Sequence, residues 1–210
     1  MNGTETAFKL ASVLLQYPVP ALSEGVDRLD EAARATPRAA RAEFAAFLAW
    51  LRATPPGEVA RHYVETFDLH HRCALYLSYH RYGDTRKRGM AMLAYKAAYR
   101  RAGFRPPENE LPDFLPLVLE FAALSREGVG LLRRRRTDLD LLRRALEAAG
   151  TPYAHVVEAV CALLPRLRRE ELRTVRALWE NGPPTEEVGL EPFAPPEYLS
   201  GRPPEPGRRS

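Results

Sequence analysis

The segment HRYGDTRKRGMAML, residues 80–93, sets Arg81, Arg86, Lys87 and Arg88 around two glycines and then runs into Met, Ala and Leu. Cations at that density suit three chemistries: cradling a phosphate, gripping a nucleic acid, or pairing with carboxylates of this chain or a bound one. A phosphate loop needs several glycines and a Lys-Ser/Thr pair between a strand and a helix, and the surroundings of Gly83 and Gly89 offer neither pair nor strand. A nucleic-acid site needs the basic surface continued. The run RRRR at 133–136 supplies a second cluster, which a solvated helix face explains equally well. The third option pairs Arg86 and Arg88 with Glu110, Asp113 and Glu120, either structurally or while also orienting a bound chain.

Those carboxylates belong to ELPDFLPLVLEFAAL, residues 110–124. On a helix, Leu111, Leu115, Val118 and Ala122 form one apolar stripe and Phe114, Leu117, Phe121 and Leu124 another, so this element is expected at the centre of the core. The third face holds Asp113, Pro116 and Glu120. Asp113 is placed to cap the helix, with contact to a ligand as the alternative, and Glu120 needs a basic partner from this chain or another. In RCALYLSYHRYG, Arg72, Tyr76, Tyr79 and Tyr82 recur at helical spacing, which predicts one shared face: core, or the wall of a peptide groove. Next, Gly89, Leu93 and Ala97 form a small-residue face suited to close packing, and Asp84 or Thr85 is placed to cap that helix.

His70, His71 and Cys73, with His80 nearby, superficially suggest a metal. Adjacent histidines do not share a helix face, so no ligand set is predicted. Cys73 lacks a surrounding nucleophile motif, and GVG at 128–130 reads as a lone glycine pair at a helix break. No catalytic residue, cofactor or metal follows from the residues.

The elements that must position these groups are all helical. Apolar residues recur at three-and-four spacing, predicting helices over about Thr4–Gln16, Leu22–Ala35, Pro37–Ala53, Glu58–Phe67, Arg72–Tyr82, Thr85–Arg101, Asp113–Arg126, Asp138–Ala149, Tyr153–Leu164 and Glu170–Trp179. Thr36-Pro37 reads as a cap followed by proline in the first turn, and Gly150-Thr151-Pro152 as a stop and restart. The 210 residues then divide into one compact helical domain over 1–180 and a proline-rich tail over 181–210, in which Leu190, Phe193, Tyr198 and Leu199 offer apolar surface to lie against the domain. A net charge of +4, drawn from 31 basic and 27 acidic residues intermixed, gives no single-sign field. Two distant cysteines fit a reducing compartment, and FKLASVLLQYP fails both as a signal peptide and as a membrane span, so a cytoplasmic protein is expected.

The run from Phe67 to Ala123 resembles the NarJ family, the delta-subunit chaperones of respiratory nitrate reductase, within the wider group of redox-enzyme maturation proteins that includes TorD and DmsD. GDTRKRGMAML is similar to the family's Gly-Asp-Ser/Thr-Arg-x-Arg-Gly-x-Ala-Met block, and ELPDFLP to its Glu-Leu-Pro-Asp-aromatic-Leu-Pro block. One common form of the pattern has a glutamate before the histidine matched by His80; here that position is Tyr79. The resemblance implies an all-α, non-catalytic chaperone that binds the twin-arginine-like N-terminus of the nitrate reductase catalytic (alpha) subunit. It would hold that subunit until the molybdenum cofactor is inserted and leave as the enzyme docks on its membrane anchor, with no nucleic acid partner and no stable membrane association of its own. The expected peptide-binding residues are Asp68, Arg72, Tyr76, Tyr79, Tyr82, Arg86, Arg88, Glu110, Asp113 and Glu120. The acids supply the negative end, the tyrosines the wall, and the arginines hold the acids. Rival expectations are a nucleic-acid regulator, a helical metalloenzyme, and a direct carrier of the molybdenum cofactor with its anion site at Arg133 to Arg136.

Overall fold

A computed structural model describes residues 1–182, which form twelve α-helices and one turn of 3-10 helix at His71–Cys73. The helices are α1 (Gly3–Leu14), α2 (Pro20–Glu24), α3 (Val26–Arg34), α4 (Arg38–Ala53), α5 (Pro56–Phe67), α6 (Tyr79–Tyr82), α7 (Arg86–Arg101), α8 (Leu115–Leu124), α9 (Arg126–Arg134), α10 (Arg136–Ala148), α11 (Tyr153–Ala162) and α12 (Arg169–Asn181). The proline-rich tail expected over 181–210 lies outside the described residues from position 183 onward.

α8 is the centre. Leu115, Leu117, Val118, Leu119, Phe121, Ala122 and Ala123 are all buried, and α1 and α9 pack on it most extensively. A helix apolar on nearly every side cannot be left at a surface, so its own sequence dictates this position. The approach of α9 depends on Gly128, where a Cβ would lie 2.5 Å from backbone atoms of Phe121 and Ala122. The glycines at 128–130 therefore sit inside a helix, at a contact only a bare backbone permits, and the expected break falls instead at Ser125, whose hydroxyl accepts from the Glu127 N–H. A second centre is aromatic: Tyr153 of α11 meets Phe47, Trp50, His62, Tyr63 and Phe67 with ring centroids 4.8–6.0 Å apart. Both cysteines are buried free thiols, and burial pushes Cys161 up to about 12 and raises Cys73 as well.

Several local expectations are corrected. The helix expected over Arg72–Tyr82 is replaced by the 3-10 turn, an extended piece and the single turn of α6, because Leu75 and Leu77 spend their backbone groups on the segment before α8. Leu77 N–H donates to the Asp113 carbonyl at 3.0 Å and Leu115 N–H to the Leu75 carbonyl at 2.7 Å. Arg72, Tyr76, Tyr79 and Tyr82 consequently share no helix face. Asp113 does not cap α8: the cap position is Phe114, which offers no side-chain acceptor. Thr36 and Thr85 also fail as caps, since each hydroxyl donates backward, to the Ala33 and Tyr82 carbonyls. The Gly89 and Leu93 side of α7 is not a packing seam but faces outward, while Tyr95, Ala98 and Tyr99 are buried. Arg135 and Arg136 are not solvated. They reach Asp138 and Asp140 at 3.7 and 3.5 Å, one turn along α10.

Candidate functional site

The acids expected to act together occupy two different environments. Asp113 has no exposed surface. Its Oδ2 accepts from the Ser78 N–H at 3.2 Å and the Ser78 hydroxyl at 2.5 Å, and Arg88 Nη2 approaches it to 3.9 Å. Arg88 also bonds Asp84 at 2.8 Å and lies over the rings of Tyr76 and Tyr79, 5.6 and 5.7 Å from their centroids. Beneath this group, His80 Nε2 is 2.9 Å from the Ala74 carbonyl, and burial pulls the imidazole down to about 4, so it is neutral at neutral pH. Tyr99 donates to the Pro112 carbonyl at 2.6 Å. Asp113, Arg88 and Tyr79 thus tie the start of α7 to the segment entering α8.

Glu110 and Glu120 lie on the accessible side. Both line a cleft of about 500 Å³ whose other walls include Tyr17, Tyr63, Phe114, Pro116 and Leu117. Glu110 Oε1 accepts from its neighbour Leu111 N–H at 2.8 Å and from the Tyr76 hydroxyl at 3.4 Å, while the Tyr76 ring packs on Phe114 at 5.5 Å. Burial, reinforced by the Glu110 charge, raises the Tyr76 phenol and keeps it a donor. Glu120 pairs with Lys9 Nζ at 2.5 Å, both side chains being about one-third to two-fifths exposed (34% and 42%). The cleft opens into apolar ground at both ends. It shares Pro107 and Glu110 with a cleft of about 560 Å³ holding Leu93, Phe104 and Leu111, and it shares Tyr17 with a smaller one of about 300 Å³ holding Val19, Leu22 and Leu29.

The structure therefore brings Tyr76, Glu110 and Glu120 together, sets Asp113, Arg88 and Tyr79 behind them, and places the other expected residues elsewhere. Arg72 lies over Trp179 at 5.4 Å, Tyr82 lies beside Arg135, Asp68 is exposed at the end of α5, and Arg86 is exposed at the start of α7. Arg88 pairs with Asp84 and Asp113 rather than with Glu110 or Glu120; the cation at Glu120 is Lys9, which the sequence reading missed, as it missed Tyr17 in the cleft wall. Lys9 and Glu120 are 111 positions apart, beyond any local pattern. Among the described residues no group of three or more His, Cys, Asp or Glu is arranged to hold a metal ion.

A sequence profile described as nitrate reductase delta subunit matches residues 28–158. The chain belongs to that family. Its named relatives include the nitrate reductase molybdenum cofactor assembly chaperone NarJ of Escherichia coli, 32% identical over 73% of this chain and 67% of that protein, and the probable NarJ of Bacillus subtilis, 34% identical over 53% of this chain and 62% of that one. The nitrate reductase-like protein NarX of Mycobacterium tuberculosis is 42% identical over 75% of this chain but only 24% of its own length, so the chain spans about a quarter of that relative. The two NarJ relatives are named as assembly chaperones.

Proposed function

We propose that this chain is an assembly chaperone for a nitrate reductase, and that its acidic cleft takes an arginine-bearing, partly apolar segment at the N-terminus of the catalytic subunit before the molybdenum cofactor is in place. The observation that carries the reading is the placement of Glu110 and Glu120 in one cleft with apolar ground at both ends. A guanidinium bound there exchanges its water for charge-assisted hydrogen bonds, and the neighbouring apolar side chains leave water for Phe104, Leu111, Tyr17 or Leu22. Lys9 is displaced at Glu120 by the incoming cation, so charge balance is kept. The partner is held in the cytoplasm and released as it meets its membrane anchor, and no helix among the described residues is long and apolar enough to cross a membrane. The nucleic-acid reading keeps only Arg133 and Arg134 of its second cluster exposed, since Arg135 and Arg136 are committed to acids.

The test is titration of the intact protein into a labelled peptide covering the start of the catalytic subunit. Glu110→Gln and Glu120→Gln should each weaken binding by about tenfold, the worth of one charge-assisted hydrogen bond. Replacing the peptide's arginines by glutamine should cost as much and leave Glu120→Gln without further effect. A wild-type protein that ignores the peptide at low salt, or carboxamide variants that bind it unchanged, overturns the reading.

A further inference from the structure

Arg72, expected at the peptide site, stands away from the acidic cleft and keeps its hydrogen-bond donors unused. Its guanidinium lies over the Trp179 ring, 5.4 Å from the centroid, and makes no hydrogen bond or ion pair with any of the described residues. Stacking on an indole holds the planar group in place and leaves the N–H donors along its edge free. Arg72 and Trp179 belong to the wall of a cleft of about 520 Å³ bounded by α5, the 3-10 turn, the end of α10 and α12. That volume lies within the range of small-molecule sites. The cleft shares no lining residue with the acidic cleft or with the apolar ground at its ends.

Two threonines, Thr66 and Thr151, each 5% exposed, add hydroxyls to this lining. Thr151 Oγ1 is 2.7 Å from His62 Nε2, whereas Thr66 Oγ1 is 3.4 Å from the Thr151 hydroxyl and 3.5 Å from the imidazole, so the Thr66 proton is only loosely engaged. His70 is turned to the Glu65 carbonyl, 2.5 Å from its Nδ1. The one carboxylate at the cleft, Glu65, is half exposed and has Arg61 at 3.9 Å. At the end of α10, Ala145, Ala148 and Ala149 line the cleft with small apolar side chains and keep it open. A stacked, unpaired guanidinium and a loosely bonded hydroxyl suit an oxyanion, and an indole with three alanines suits an apolar ring or short chain. We propose that this cleft binds a small organic oxyanion, a carboxylate or a phosphate monoester, with its charged head at Arg72 and Thr66 and its apolar body against Trp179 and the α10 alanines. An inorganic ion gains the head contacts alone and a neutral ring the body contacts alone, so preference for the joined molecule is the signature of the site. This inference is independent of the acidic cleft's ligand.

The experiment uses the full chain labelled with 5-fluorotryptophan, in which the two tryptophans, Trp50 and Trp179, give separate fluorine resonances assigned with Trp179→Phe. Benzoate and phenyl phosphate are titrated as probes, with inorganic phosphate and benzyl alcohol as head and body alone. The Trp179 resonance should move saturably with at least one probe, whose head group then identifies the oxyanion, and that probe's Kd should lie about tenfold or more below those of the two partial molecules. Arg72→Gln should weaken the probe by about tenfold or more, the loss of charge-assisted hydrogen bonds. Because this variant also removes the stacking on Trp179, Ala148→Leu provides a second: it keeps the arginine, narrows the cleft, and should weaken the probe comparably. Both variants replace exposed residues, so their unfolding midpoints should stay near that of the wild type. A Trp179 resonance that neither probe moves saturably, inorganic phosphate that binds as tightly as the probes, or either variant binding the probe unchanged overturns the proposal.

Discussion

At the scale of single residues, the carboxylates divide by what removing them should do. Asp113 is wholly enclosed and receives Ser78 and Arg88, so Asp113→Ala strands a buried donor and a nearly buried cation. It should cost about 3 kcal/mol or more in chemical unfolding. Glu120, paired at a half-open surface, should change stability by less than about 1 kcal/mol as Glu120→Gln while losing peptide. Equal destabilisation by the two variants would contradict this division. His80 is the residue whose titration reaches the fold. Burial holds its folded value near 4 against an ordinary 6.5, so protons bind the unfolded chain more readily between those values. The contribution of neutral His80 is therefore complete above about pH 6.5 and declines as pH falls toward 4, by up to roughly 3 kcal/mol. Urea unfolding at pH 7 and pH 4.5 should show the loss, and His80→Gln, which retains a donor for the Ala74 carbonyl, should flatten it.

At the scale of elements, Gly128 sets how closely α9 approaches α8. Gly128→Ala places a methyl 2.5 Å from the Phe121 carbonyl, where no flexible side chain can yield, and should destabilise the protein by about 2 kcal/mol despite alanine's better helix propensity. Gly89→Ala, with open space around its Cβ position, should be neutral or stabilising, and thermal unfolding of both variants checks the contrast. The same elements show what a sequence reveals. The helical class and the central place of α8 were legible because periodicity and a continuous apolar surface are local properties. The Arg72–Tyr82 helix was misread because its spacing matched a helix while its backbone bonds went to residues more than thirty positions away. Asp138 and Asp140, one turn beyond Arg135 and Arg136, were within local reach and could have revealed those arginines as paired. Of the expected site, the acids were singled out by their company of apolar residues, but which of them line the accessible cleft depended on Lys9 and Tyr17, contributed by distant chain.

At the scale of the molecule, stability is distributed unevenly. α8 is buried along almost its whole length, whereas Val175 is the one buried residue of α12. Amide exchange in α8 should report global unfolding, and α12 should exchange through a local opening of much lower free energy, read by native-state hydrogen exchange at increasing urea. Equal protection of the two helices would show that α12 is bound to the domain more firmly than its packing indicates. The proposed chaperone role adds a chemical requirement, that the chain should not react with the protein it holds. Here the two enclosed thiols, both pushed away from the thiolate form, leave the folded protein without a nucleophilic sulfur at its surface. A client held as proposed would then meet no thiolate with which to trade disulfides.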